Sequence, residues 1–301
     1  MLESAFKRSA DWATSSGGST VVALERELES YLLSHRQTNS VHFVQHLPSN
    51  LLLLAESHAG WDRKARFLAE VIVGAARLPQ PRFHASEHFI ADGRTRATLE
   101  QYLDDAGGLR ALPDPIARFR PTLDAAKGFP GRAFAIIAGG SLVPADRDRA
   151  LYLAFRDSLE HHNHRFPSNR IGGRSRGSYL IGANHGARRS PNGASPATTT
   201  ELLQADGWQT CVVRFTVNAP LGAPIPDDSG ETTYFPFEDA GLEPLEGGDP
   251  IDLLAILNRV AEGAMFHAPL GAADSPFARV KEAGGLTIPF NALFDYVLHL
   301  A

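Results

Sequence analysis

The strongest constraint on the fold is the run Leu51-Leu52-Leu53-Leu54-Ala55, five consecutive apolar residues that stop at Glu56-Ser57-His58. An amphipathic strand alternates, whereas this run is apolar on both faces and too short for a buried helix. It therefore reads as a strand covered on both sides, the situation of an inner strand in a parallel sheet. Residues 62–77 follow with Phe67, Leu68, Val71, Ile72 and Ala75 at helical spacing. Strand, short turn and helix make the βα unit of an α/β protein.

The pattern recurs. Residues 82–90 predict a second strand, 133–138 a third ended by Gly139-Gly140, and 179–181 a fourth. Residues 210–217 predict a fifth, and 292–298 the last. Helices are predicted over 21–33, 94–103, 145–162, 200–205 and 251–262, and Val41-His42-Phe43-Val44 reads as a short strand. The expectation is one α/β domain over 21–301, with a mainly parallel central sheet flanked by helices and long inserted loops. Residues 1–20 read as a flexible N-terminal segment, 186–199 as a long loop, and 219–249, rich in Pro, Gly and acids, as an excursion from the core.

With 301 residues and 43% hydrophobic content, a sizeable core is available. A net charge of −5 supplies no field to attract nucleic acid or an acidic membrane. The one cysteine, Cys211, excludes an internal disulfide and sits in an apolar run as a core thiol. The N-terminus lacks a signal-peptide pattern, and no apolar stretch approaches the roughly 20 residues of a membrane helix. The expected location is cytoplasmic and the expected partner a small-molecule or peptide substrate; the oligomeric state is left open.

Chemistry collects at the strand ends. Tyr179-Leu180-Ile181-Gly182-Ala183-Asn184-His185 repeats the logic of the first motif, an apolar strand that delivers a histidine just past its tip. Arg82 to His88 is a third strand ending in Glu87 and His88. In open α/β sheets ligands gather beyond the carboxyl ends of the strands. Glu56, His58, Glu87 and His185 are thus the candidate catalytic set. A carboxylate beside an imidazole orients it and raises its basicity. The same four residues suit a divalent metal such as manganese, cobalt or zinc, and suit equally a metal-free acid–base pair. Arg63, Arg66, Arg147 and Arg188 are candidates for binding substrate or a developing oxyanion. His84 reads as a structural histidine, and His161, His162 and His164 as a helix C-terminus. No serine stands in a Gly-x-Ser-x-Gly context, which disfavours a serine hydrolase.

The motifs Ala55-Glu56-Ser57-His58, Ala85-Ser86-Glu87-His88, Arg147-Asp148-Arg149-Ala150-Leu151, Gly182-Ala183-Asn184-His185 and Phe294-Asp295-Tyr296-Val297-Leu298 resemble the erythromycin esterase-like, ChaN-like (haem-uptake) and Tiki superfamily. The resemblance implies a parallel-rich α/β fold with its site at the strand tips. It implies one of several activities: ester hydrolysis, metal-dependent peptide cleavage, or haem binding through a histidine or tyrosine. The sequence departs from that pattern at Ala55, where glycine is usual, and at a second tip with one histidine. The functional expectation is hydrolysis of an ester or amide by water activated directly or through a metal. A non-catalytic haem- or metal-binding protein and a biosynthetic tailoring enzyme stand as alternatives.

Overall fold

The computed structural model describes residues 19–47, 49–56, 60–75, 82–105, 112–113, 116–129, 133–143, 145–172, 175–191, 193, 196–218, 225–226, 232–233, 241–272 and 274–301. The flexible segment expected over 1–20 lies outside these apart from Ser19 and Thr20, and His58 lies outside them too.

Seven strands form one sheet: β1 (Leu51–Glu56), β2 (Arg82–Ile90), β3 (Phe134–Gly140), β4 (Arg176–Gly182), β5 (Thr210–Val217), β6 (Phe266–Pro269) and β7 (Tyr296–Leu300). Their order is β6-β7-β5-β1-β4-β2-β3. All neighbours are parallel except β6, which runs antiparallel to β7 at one edge. From β1 the chain builds outward through β2 and β3, returns as β4, and then crosses to the other side as β5. The tips of β4, β1 and β5 therefore border the point where the winding changes direction, the place where such sheets bind ligands.

The full burial of β1 follows from its place in the middle of the sheet. Even-numbered residues of β1 face one helical layer and odd-numbered residues the other. Leu52 and Leu54 pack with Phe67 and Leu68 of α3 (Trp61–Ala75), Leu99 and Tyr102 of α4 (Gly93–Asp104), and Leu123 of α5 (Arg120–Lys127). Leu51, Leu53 and Ala55 pack with Leu28 of α1 (Ser19–His35) and with Leu151 and Phe155 of α6 (Arg147–Arg165). The same cluster takes in Leu203 of α8 (Thr199–Ala205) and Ile256 and Leu257 of α9 (Leu253–Ala261). Two further helices are short: α2 (Ser40–His46) and α7 (Ala183–Gly186).

Three expectations are corrected. Residues 41–44 are part of α2, not a strand. Phe43 stacks on His267 with ring centroids 3.9 Å apart and meets the Tyr296 ring edge-on, so tertiary packing overrides the β-prone composition. Residues 292–298 divide into a helical turn, Phe290–Leu293, and a strand that begins only at Tyr296. The excursion is not loop throughout. Gly241–Pro244 is the middle strand of a small antiparallel sheet with Ile251–Asp252 and Val280–Glu282, pinned by the fully buried Leu242. One buried leucine in four residues gave no period to read. Residues 120–127 and 266–269, for which the residue pattern predicts no element, form α5 and the edge strand β6.

Candidate functional site

Glu56 is the last residue of β1, and its side chain is wholly buried. It faces the α3 side of the sheet. Its Oε1 lies 2.8 Å from Nε2 of His88, and its Oε2 accepts a hydrogen bond from the ammonium of Lys64. Lys64 is itself fully buried. It lies one turn before Phe67 and Leu68 on the apolar stripe of α3, and its Nζ sits 5.4 Å from the Trp61 ring centre and 5.6 Å from that of Phe215. A carboxylate only accepts hydrogen bonds, so His88 donates from Nε2. This fixes the neutral imidazole as the tautomer whose basic nitrogen is Nδ1. The His88 ring is held between Phe119, stacked at 5.4 Å, and the edge of Trp61 at 4.3 Å, and its side chain keeps 14% of its surface exposed.

His88 and Glu87 are adjacent on β2 yet serve the same tip. The β2–β3 register shifts between Ser86 and Ile90, and this irregularity breaks strict alternation where the two residues leave the sheet. Oε1 of Glu87 accepts a hydrogen bond from the backbone N–H of Gly182 at 2.8 Å, which ties the tips of β2 and β4 together. Glu56, Glu87 and His88 each bring a ligand-type atom to within 4.8 Å of the others.

A second acid–histidine pair lies on the other side of the sheet. His185 sits on α7, immediately past β4, with Nδ1 3.2 Å from Oδ2 of Asp148. The approach is off the line of a well-formed hydrogen bond. Asp148, in the first turn of α6, is anchored: its Oδ1 accepts from the backbone N–H of Thr199 at 2.8 Å and from the Thr199 hydroxyl at 3.0 Å. α7 packs against β1 so closely that a Cβ on Gly186 would come within 3.0 Å of the Ala55 Cβ. Asp146, at φ 50°, caps α6 in the left-handed conformation just ahead of this pair.

Of the candidate residues, the structure brings Glu56 and Glu87 together and puts His185 at the neighbouring β4 tip. The arginines are spread out. Arg63 donates to the backbone oxygen of Asn218 at 2.8 Å, Arg66 is exposed, and Arg147 donates to the carbonyl of Ser141. Arg188 forms a bidentate pair with Asp295 at 3.1 and 2.6 Å, near the N-terminal start of β5, where Asp295 also accepts from the Val212 N–H. Lys64 is not among the residues that the sequence pattern marks, whereas Asp148 stands in the Arg147-Asp148 pair that opens the helix before His185 and is a candidate to reach the same pocket. Lys64 had a signal, being a charged residue inside an apolar helical stripe, a place that costs free energy unless the charge is paired.

Burial sets the protonation of several other histidines. His84, on β2 with Nδ1 2.9 Å from the Ser178 hydroxyl, is driven down to about 3 by desolvation, with His88 adding to the shift. His267 and His299 are lowered to about 4, also chiefly by desolvation. All three are neutral at physiological pH, so none competes as a cation at the site. Cys211 is pushed up beyond the usual thiol range by burial and is inert.

No family of known proteins matches the chain, and no curated protein matches it. Solved structures do. One from Bacillus cereus superposes with a TM-score of 0.56 at 10% identity, over 92% of this chain and 97% of that one. An erythromycin esterase mutant in its open conformation gives a TM-score of 0.43 at 10% identity, over 84% and 90% of the two chains. A structure described as bacterial protein toxins gives 0.38 at 14% identity, over 72% of this chain and 41% of that one. At 10% identity the Bacillus cereus structure shows a likeness of fold alone. Among the described residues no helix is long and apolar enough to cross a membrane.

Proposed function

We propose that the protein is a hydrolase of an ester or amide bond. The observation that carries this reading is the buried chain Lys64–Glu56–His88 at the tips of β1 and β2, with Glu87 alongside. Lys64 favours the ionised form of Glu56, and Glu56 holds His88 in one orientation and tautomer, as the acid of a catalytic triad does. Nδ1 of His88 takes a proton from water, the oxygen attacks the carbonyl carbon, and the proton passes to the departing alkoxide or amine as the bond breaks. The Asp148–His185 pair at the neighbouring tip is a second acid–base couple suited to that last transfer.

A second reading follows from the closeness of Glu56, Glu87 and His88. Two carboxylates and an imidazole are a donor set for a divalent metal, which would supply Lewis-acid polarisation of water or carbonyl. The ammonium of Lys64 on Glu56 offsets part of the negative charge such a site offers.

The test is hydrolysis of a panel of chromogenic esters and anilides by wild type, Glu56→Gln, His88→Ala, His58→Ala and His185→Ala. Elemental analysis of wild type and His88→Ala runs beside it. Loss of about 100-fold or more in Glu56→Gln and His88→Ala, with folding intact, supports the reading. Full activity in Glu56→Gln overturns it. Stoichiometric manganese, cobalt or zinc that vanishes in His88→Ala selects the metal form.

A further inference from the structure

Arg214 is 1% exposed and lies on β5 within the main sheet, level with Ala55 on β1 and Val297 on β7. It is one of the largest fully buried side chains among the described residues, and neither Nε nor Nη1 has a hydrogen-bond partner among them. The Phe294 ring lies 5.7 Å from Cζ; it contributes a π face and no acceptor in the guanidinium plane.

Polar side chains on this face of the sheet and next to Phe294 pair with other groups. Thr216, two residues further along the same face of β5, pairs with Nδ1 of His299 at 2.9 Å, and His299 pairs in turn with Asn258 at 3.0 Å. Asp295 is held by Arg188 and by the Val212 N–H, and Asp148 by Thr199 and His185. A buried guanidinium with unmet donors is costly, and proteins keep buried charges only when something pairs them.

Its position suggests what does. Ala55 and Arg214 are register partners one residue short of the end of β1, and α7, which carries His185, packs on Ala55. Arg214 is therefore rooted one residue short of the β1 tip, on the sheet face that Ala55 presents to α7. We propose that Arg214 is an oxyanion receptor that takes a carboxylate or phosphate group in its planar fork of donors. That the anion belongs to the hydrolysed substrate rests on the hydrolase reading; the anion binding itself does not.

The test measures thermal unfolding of wild type, Arg214→Met, Arg214→Lys and Glu56→Gln in acetate, succinate, phosphate and chloride at matched ionic strength. Ligands that bind only the native state raise its midpoint. Wild type and Glu56→Gln are expected to gain several degrees in either the carboxylates or phosphate relative to chloride, and whichever class acts identifies the ligand. Arg214→Met is expected to unfold at a higher temperature than wild type in chloride, because an orphaned charge has been removed, and to lose the anion response. Arg214→Lys retains part of it. Equal responses in wild type and Arg214→Met overturn the proposal, since they are a general salt effect. So does a lower midpoint of Arg214→Met in chloride, which means the chain itself satisfies the guanidinium. Titration calorimetry of wild type with phosphate and with succinate measures the binding without any variant: no heat from either overturns the proposal. If esterase activity is found, Arg214→Met raises KM by about 10- to 100-fold for an anionic ester and leaves its neutral analogue unchanged, the span of a charge-assisted hydrogen bond. An anion response without any hydrolysis leaves this proposal standing and removes the hydrolase reading.

Discussion

Replacing Lys64 with methionine isolates the electrostatics of the site. Methionine keeps an unbranched stem of similar length, so the packing against Trp61 and Phe215 is largely retained. What disappears is the cation on Oε2 of Glu56, whose side chain is fully buried, as is that of Lys64. His88 stays in place as a hydrogen-bond donor to Oε1. Removing one member of a buried ion pair costs about 3–5 kcal/mol, because the other charge stays desolvated. For a chain of 301 residues that corresponds to a fall in Tm of roughly 5–8 °C. The deficit is pH-dependent with a defined sign. An isolated buried carboxylate relieves itself by taking a proton, so the variant loses most relative to wild type near pH 8 and least near pH 5. Glu56→Gln in the Lys64→Met background removes the orphaned charge and recovers part of the loss. Denaturant melts of the four proteins at pH 8 and pH 5 give the coupling energy directly. A Lys64→Met variant within about 1 kcal/mol of wild type at pH 8 refutes the argument, because Glu56 would then be solvated or already protonated.

Other consequences concern stability. His84 is lowered to about 3 and His267 and His299 to about 4, against about 6.5 in the unfolded chain. The unfolded state thus binds more protons between pH 6.5 and 4. The stability these groups contribute is present above pH 6.5 and falls as the pH drops towards 4, by about 3 kcal/mol at pH 4 for His84 alone; Tm measured from pH 8 to pH 4 should decline, and a flat profile contradicts it. Gly140→Ala places a Cβ within 1.9 Å of the Glu87 carbonyl oxygen, where backbone must give way. It should cost about 3 kcal/mol or more and displace the Glu87 tip, read as a lower Tm with hydrolysis lost. Thr198 and Glu201 form a capping box at the start of α8, so Thr198→Ala should cost about 1 kcal/mol in a denaturant titration.

The sheet was readable where burial leaves a mark in composition. The apolar run of β1 follows from residue types, because inner parallel strands are apolar on both faces. Edges and short pieces were not readable. β6 carries His267 and Pro269 in four residues, and Gly241–Pro244 has one buried leucine to identify it. α2 has the composition of a strand and is a helix because of what Phe43 touches. At the site, Glu56 and Glu87 were visible as acids ending apolar strands. The His88–Glu56 contact depends on the register shift in β2, and no residue pattern announces a register shift.

The sheet also explains why one strand-tip site holds two acid–histidine pairs. Side chains alternate across a strand, so Glu56 falls on the α3 face and its neighbour Ala55 on the face of α6 to α9. A single face could hold only one of the pairs around β1. Glu87 joins the two, since its carboxylate reaches the Gly182 N–H at the end of the strand that leads into α7 and His185. Cutting that link separates a sheet that merely presents two pairs from one that couples them. Glu87→Gln keeps an amide oxygen for the Gly182 N–H and should preserve stability, whereas Glu87→Ala releases the β2 tip from β4. If the pairs act in one reaction, Glu87→Ala lowers hydrolysis far more than it lowers Tm. A loss that tracks stability alone assigns Glu87 to the fold.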